Sequence, residues 1–229
     1  MGKTKNELSS EIVKEYGLNA GASVVGIAAS KDFGLAPKGF KPCDNMEGCL
    51  SVIVLGSPSP QEVLKNTVEY TASRNAMLTK MTDIAKEVAR RIKADGYNAK
   101  AISASGGKYV DGNQYGHISL KHAAELAGIG LINRNYLLTN PEYGNLLWLS
   151  AVLTDADLTP DKKAKYKICD KCNKCVKICP SGALDNPAQF GKKECAKFFS
   201  MENKKFIIKC FSCRKVCPYC VGKNIAKAN

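Results

Sequence analysis

The 229-residue chain has no long apolar run. Nothing in it approaches the ~18 consecutive apolar residues of a membrane helix, which excludes a spanning helix of that kind. The opening residues, MGKTKNELSSEIVKEYGL, carry neither an apolar h-region nor a twin arginine, so they read as an amphipathic helix rather than a leader. The glycine-rich stretch Gly106–His117 lacks a Gly-x-Gly-x-x-Gly set between a strand and a helix, so it is not a dinucleotide fingerprint. Acidic residues are scarce at one end only. Residues 161–229 hold 17 Lys and Arg against 5 Asp and Glu, whereas residues 1–160 hold 17 against 16. No aromatic-basic stacking pattern accompanies these lysines, which counts against a nucleic-acid partner.

What the chain does have is cysteine, eleven in all. Without a leader, so many thiols point to a reducing cytosol and to use as ligands rather than disulfides. The stretch ICDKCNKCVKICP reads Cys169-x2-Cys172-x2-Cys175-x3-Cys179-Pro180. In the bacterial ferredoxin run of this spacing, three cysteines hold one [4Fe-4S] cube and the fourth reaches a second. A second run, Cys210-x2-Cys213-x3-Cys217-Pro218, is incomplete, because its first cysteine falls at Ile207. One ligand must then come from elsewhere, and Cys195 and Cys220 are the two nearby in sequence. A zinc ribbon can use paired Cys-x2-Cys, but it needs neither the x3-Cys-Pro nor its repetition. Each oxidised cube with four thiolates carries about −2, so two cubes offset part of the basic excess. The remainder suits docking of an acidic electron donor.

Hydrophobic periodicity gives an α/β domain over 1–160, and the cysteine runs give a small ferredoxin-like domain with two [4Fe-4S] clusters over 161–229. Thr4-x-x-Glu7 is a capping box for a first helix that Gly17 stops. Strands are expected over Ala22–Ser30, Ser51–Leu55, Tyr97–Ser103 and Leu147–Thr154. The second is apolar throughout and so is covered on both faces. One long helix is expected from about Gln61 to Ala94, with Met77 and Met81 in its packed face. Ser119 caps a short helix, LKHAAELAG. TDADLTPDKKAKYK reads as a polar linker.

Several stretches together resemble the epoxyqueuosine reductases and the reductive dehalogenases. These are His122–Leu158 (HAAELAGIGLINRNYLLTNPEYGNLLWLSAVLTDADL), SVIVLG, the helix ending ADGYNAKAIS, KKECAKFF around Cys195, and the cluster region. The resemblance implies a nitroreductase-like first domain. It assigns one cube to Cys169, Cys172, Cys175 and Cys217, and the other to Cys179, Cys195, Cys210 and Cys213. It leaves Cys43, Cys49 and Cys220 as buried or incidental thiols. It further implies cobalamin, fed with low-potential electrons through the two cubes. The chain departs from the pattern where the epoxyqueuosine enzymes carry an Asp-x-x-Pro acid: Gln114 or a neighbour stands there, with Asp111 three residues away and His117 near the proline position. The helical-repeat tail of tRNA-binding members and the twin-arginine leader of respiratory dehalogenases have no counterpart within the chain.

Outside the cysteines, His117 and Tyr115 are the candidate catalytic proton donors, with Tyr70 and Tyr109 as further tyrosines. Asn133, Arg134, Asn135 and Ser119 are the candidate cofactor-binding residues. His122 reads as a satisfied core or surface histidine, and Lys108 and Lys121 as solvated charges. The expected function is a cytoplasmic, oxygen-sensitive oxidoreductase passing electrons through two clusters to a bound corrinoid. Its partner is a low-potential donor of the ferredoxin or flavodoxin type. The rival is an electron-transfer protein without its own corrinoid, reducing a partner such as a corrinoid protein.

Overall fold

The computed structural model describes residues 6–110, 113–166, 169, 172–202 and 205–222. In chain order the elements are helix α1 (Ser10–Asn19), strand β1 (Val24–Ala29), helix α2 (Pro42–Asn45), β2 (Ser51–Pro58) and the long α3 (Thr67–Ala94). Then follow β3 (Ala99–Ile102), β4 (Lys108–Val110), β5 (Asn113–Tyr115), α4 (Leu120–Leu126), β6 (Leu131–Ile132), β7 (Leu138–Thr139) and β8 (Leu147–Thr154). The cysteine-rich end holds α5 (Lys174–Lys177), α6 (Lys192–Ala196), β9 (Phe199–Glu202), β10 (Lys205–Ile208) and α7 (Ser212–Lys215). None of the described helices is long and apolar enough to cross a membrane.

The chain folds as two compact units. The first comprises Met1–Ser57, Leu78–Ile129 and Trp148–Ala164. The second comprises Pro58–Met77, Gly130–Leu147 and Lys165–Asn229. A single cut near residue 160 therefore does not reproduce the grouping. Residues 58–77 and 130–147 pack with the cysteine-rich segment because their own neighbours lie there, as the site below shows.

The first unit is built on a four-stranded sheet ordered β1-β2-β8-β3. β1 pairs antiparallel with β2, from Val24↔Gly56 to Ala29↔Ser51, and β3 pairs antiparallel with β8, from Ala99↔Thr154 to Ile102↔Ala151. β2 is buried along seven of its eight residues, as a strand covered on both faces must be. Ile27, Ile53, Leu55, Ile102 and Leu153 are fully buried, with Met81, Val88 and Ile92 of α3. Full burial of each such side chain is worth about 1.5–3 kcal/mol. Met81 is thus core, and Met77 is half-buried.

Two glycines set how the helices approach this sheet. Gly17 does not stop α1; the helix runs on to Asn19 and ends at Ala20, before Gly21 at φ +100°. A Cβ on Gly17 would lie 2.6 Å from Val25 and 2.8 Å from Leu55, so its bareness lets α1 close onto β1 and β2. A Cβ on Gly26 would run into the Ala127 carbonyl just after α4. Val25 and Gly26 point to opposite faces of β1, so α1 and α4 cover opposite sides of the sheet.

Three further expectations are corrected. Ser9, not Thr4, caps α1, accepting from the Ile12 amide at 3.3 Å; Thr4 lies outside the described residues. The tract expected from Gln61 splits into a 3-10 turn (Gln61–Lys65) and α3. Asn66 makes the break: its Oδ1 accepts from the Glu69 amide at 2.9 Å and its Nδ2 donates to the Glu69 carboxylate, a capping pair within Asn-x-x-Glu. The supposed polar linker is ordered up to Asp161. Ala156 and Leu158 are buried, Ser51 Oγ donates to the Ala156 carbonyl, and the Leu158 amide donates to Ser51 Oγ. Asp161 closes the free edge of β1, taking the Ile27 amide on Oδ2 at 2.9 Å, donating its own amide to the Ile27 carbonyl, and pairing with Lys14 at 2.6 Å.

The second unit is assembled from hairpins and short helices. β6 and β7 form one hairpin, with Leu131↔Thr139 and Ile132↔Leu138. β9 and β10 form another, from Glu202↔Lys205 to Phe199↔Ile208. The single-turn helices α5 and α7 each begin within a cysteine run and pack on one another.

Candidate metal centre

Cysteine spacing becomes geometry through these elements. Cys175 lies in α5 and Cys213 in α7, so each run turns its cysteines around the start of a helical turn. A hollow in the second unit is lined by Cys169, Cys172, Cys175 and Cys217, with Asn135, Lys174, Pro218 and Tyr219. Burial pushes the Cys175 thiol up, and the neighbouring Cys169 and Cys217 sulfurs add to it. Burial likewise raises Cys217, assisted by Cys169 and Cys172 and opposed by the Tyr219 amide and by Asn145. Burial raises Cys169 as well, against a hydrogen bond from the Arg134 amide.

The other sulfurs gather separately. Burial pushes the Cys213 thiol up to about 12; the Arg214 guanidinium opposes this, and Cys195, Cys210 and Cys179 add to it. The four of this group are thus neighbours. Cys179 is different: burial raises it, but hydrogen bonds from the Ser181 hydroxyl and from the amides of Ser181, Ala183 and Leu184 outweigh that and hold it below the usual thiol range. Ser181 Oγ lies 3.4 Å from Cys179 Sγ, and Ser212 Oγ lies 3.6 Å from Cys210 Sγ.

Cys195 reaches this group through the β9–β10 hairpin. Ile207, standing where the missing run cysteine would be, lies in β10 opposite Ser200. The Phe198 amide donates to the Cys195 carbonyl at 3.1 Å, and the Lys209 amide donates to the Phe198 carbonyl at 2.8 Å. The hairpin therefore folds the end of α6 back beside Cys210. Cys220, the other sequence neighbour, is buried and pushed up to about 11 by burial, next to Arg214 and Cys217.

All eleven cysteines are free. Among the described residues no three His, Cys, Asp or Glu side chains converge as they would around a single metal ion. Cys43 is exposed, not buried, with its thiol donating to the Cys49 carbonyl at 3.3 Å and facing Ser30 Oγ at the same distance. Cys49 is buried.

The β6–β7 turn borders the cysteines. Asn133 is buried and donates to Thr139 Oγ1, and its backbone closes the turn through Asn133 N to the Leu137 carbonyl. Arg134 sends its guanidinium to the Asp185 and Asn186 carbonyls at 3.2 and 3.5 Å. Asn135 is buried, donates to the Cys213 carbonyl at 3.3 Å and accepts from the Leu137 amide. Tyr136 holds a left-handed backbone, φ +56°, fixed by packing on Phe190 and a hydroxyl bond to the Pro187 carbonyl. Residues expected near a corrin thus stand beside the cysteines.

The remaining candidates are placed elsewhere. Tyr115 and His117 belong to the first unit; Tyr115 is 41% exposed with its ring edge on Phe40, and the His117 carbonyl accepts from Asn45 Nδ2 at 3.0 Å. Ser119 precedes α4, but its hydroxyl makes no cap bond; it meets His122 Nδ1 at 2.6 Å. Lys108 is not simply solvated: its ammonium donates to the Gly39 carbonyl and lies 5.5 Å from the Phe40 ring. Tyr70 belongs to the second unit, buried against Phe211 at 4.7 Å. Asp111 lies outside the described residues, and of Tyr109 and Gln114 only the strand backbone is described. The sequence reading missed Ser181, Ser212, Asn145 and Arg214. The two serines were findable, since each stands two residues after a run cysteine.

No protein-family model matches the chain. The epoxyqueuosine reductase of Bacillus subtilis (strain 168) is 34% identical over 121 residues, 48% of this chain and 31% of that protein. Over that stretch the chain is similar to the epoxyqueuosine reductases. The match spans about a third of the length of such curated relatives. A solved epoxyqueuosine reductase with an epoxyqueuosine-modified tRNA stem loop superposes with a TM-score of 0.63 at 19% identity, over 92% of this chain and 64% of that one. A reductive dehalogenase structure interpreted in terms of B12-dependent dehalogenation superposes with a TM-score of 0.62 at 20% identity, over 97% and 31%. These likenesses establish a shared mixed α/β fold.

Proposed function

We propose that the chain is an oxidoreductase of the iron-sulfur type, with two [4Fe-4S] clusters in its second unit relaying single electrons to a corrinoid on its first. The observation that carries this is the sorting of eight cysteines into two groups of four, each drawing members from both runs. Four of these thiols, Cys169, Cys175, Cys213 and Cys217, are pushed up by burial, with neighbouring sulfurs adding to it, an arrangement that favours a cationic centre, which would hold them as thiolates. Cys169, Cys172, Cys175 and Cys217 would hold one cluster, and Cys179, Cys195, Cys210 and Cys213 the other. A four-iron cluster supplies reversible one-electron transfer at low potential. The chain's own residues do the rest: the Arg134 amide and the Ser181 and Ser212 hydroxyls orient the sulfurs. This reading treats the second unit as ferredoxin-like and the first as nitroreductase-like.

The corrinoid rests on the relatives. A B12-dependent dehalogenase shares the fold, and a corrin, when bound, would supply the two-electron chemistry that cubes alone lack. Tyr115 and His117 are the residues we propose to hold a proton for the reduced product, with Ser119 near the cofactor. The substrate class is open to two kinds, an epoxide on a tRNA base or an organohalide, as in the relatives.

A second reading, an electron-transfer protein with no corrinoid of its own, is favoured by the basic excess of residues 161–229, which suits docking to an acidic partner. The test is anaerobic purification followed by iron, sulfide and cobalt analysis, then titration with cobalamin. About eight irons per chain and a visible-spectrum change on adding cobalamin support the first reading. Eight irons with no cobalamin response select the second, and zinc in place of iron overturns both.

A further inference from the structure

One buried side chain is left without a partner beside the first cysteine group. Asn145 is 1% exposed, yet neither its Oδ1 nor its Nδ2 makes a hydrogen bond to any protein atom. A buried primary amide with nothing to bond to costs roughly 1–3 kcal/mol. Its backbone, by contrast, is held from both sides. The Asn145 amide donates to the Cys220 carbonyl at 3.0 Å, and the buried Arg214 guanidinium donates to the Asn145 carbonyl. Gly144, at φ +65°, lies so close that a Cβ there would strike the Cys220 carbonyl and the Gly222 amide. The loop is therefore clamped to the turn that follows Cys217, and the side chain it clamps is a buried amide with both polar atoms unused.

We propose that Asn145 is a positioning residue whose side-chain amide donates a hydrogen bond to the sulfur face of the cluster held by Cys169, Cys172, Cys175 and Cys217, raising that cluster's reduction potential. This rests on the cluster reading above. The physical reason is direct. A donor facing a cluster sulfur stabilises the extra negative charge of the reduced state more than the oxidised one, and hydrogen bonds to the sulfurs are among the determinants of cluster potential. It also gives the orphaned amide an acceptor. Burial strengthens the effect, because no water competes for the amide. The second group is surrounded differently: among the described residues the hydroxyls beside its sulfurs are those of the half-buried Ser181 and Ser212, and the buried Arg214 guanidinium stands near Cys213.

The experiment is redox potentiometry, followed by electron paramagnetic resonance, on the anaerobically prepared full chain and on Asn145→Leu, Asn145→Ala and Asn145→Ser, each with its iron and sulfide content. In Asn145→Leu and Asn145→Ala, one of the two couples moves to lower potential by about tenfold in its equilibrium constant, or about 59 mV for one electron, while the other stays. Asn145→Ser, which keeps a donor in the same enlarged space, recovers part of the shift relative to Asn145→Ala. Unshifted couples in Asn145→Ala with iron content intact overturn the proposal. Loss of that cluster in all three variants overturns it as well, since Asn145 would then be structural. A wild-type chain without four-iron clusters fails the cluster reading instead, and the two failures are told apart by the wild-type iron analysis.

Discussion

The two cysteine groups draw on the same two runs, yet they are built by different means. The group around Cys217 is a hollow bordered by loops that come from far away in sequence: the Arg134 amide and Asn135 from the β6–β7 turn, and Asn145 from the segment before β8. The group around Cys213 takes all four sulfurs from residues 179–213, through α6, the β9–β10 hairpin and two Cys-x-Ser steps, and the distant Asn135 reaches it at the Cys213 carbonyl. One group takes its surroundings from tertiary structure and the other from adjacent sequence. Substitutions should therefore act on the first from a distance and on the second mainly from nearby.

The largest effect expected is from removing a ligand. Cys195→Ser should cut the iron from about eight to about four per chain, because only the local group loses a thiolate, and Cys217→Ser should remove the other four instead. Cys220→Ser should leave all eight, as a buried thiol outside both groups. Iron and sulfide analysis with paramagnetic resonance of the reduced protein reads all three. If Cys220→Ser loses four irons and Cys195→Ser none, the hairpin route to the local group is wrong.

That contrast also explains what the sequence disclosed. Cysteine spacing is legible because thiolates must reach a fixed object, so Cys169 to Cys179 and Cys210 to Cys217 announce themselves, and Ile207 announces a gap. Spacing alone left Cys195 and Cys220 equal; what separates them is the strand pairing of Ile207 with Ser200, which is tertiary information. The sheet strands were legible from β2 and β8, apolar along their whole length, and the packed face of α3 from its repeat. The Asn66-x-x-Glu69 break was present in the sequence and overlooked inside a strong helical period. Gly17 misled because a glycine that ends a helix and one that admits a neighbouring strand look alike until Val25 and Leu55 are in place. Asn145 carried no signal at all, since its meaning depends on a turn some 75 residues later.

A smaller but still large effect should come from Gly144→Ala. The position is left-handed, and a side chain would collide with the backbone of Cys220 and Gly222, so the cost is on the order of 2–4 kcal/mol. It should loosen the turn after Cys217 and make the open group's iron the first to leave on mild chelation, while the local group keeps its own. Gly26→Ala supplies the control. Its Cβ would strike the Ala127 carbonyl in the first unit, so it should lower the thermal midpoint by a comparable amount without favouring loss of either set of irons. Chelator time courses followed by visible absorbance would check both.

The smallest effect should belong to the Cys-x-Ser steps. Ser181 and Ser212 each place a hydroxyl 3.4 and 3.6 Å from a local-group sulfur, and both residues are only half-buried, so each bond is worth about 0.5–1.5 kcal/mol at most. Ser181→Ala and Ser212→Ala together should lower the local group's potential and leave the open group's unchanged, the mirror image of what Asn145 does. The shift should stay below the Asn145 effect, because water can take over a lost hydroxyl bond at a half-buried sulfur but cannot reach a fully buried amide's place. Ser181→Ala should also raise the Cys179 thiol pKa in the iron-free chain, since that hydroxyl is the first among the bonds holding it down. A double variant whose open-group potential moved as far as its local-group potential would dissolve the distinction between the two kinds of surroundings.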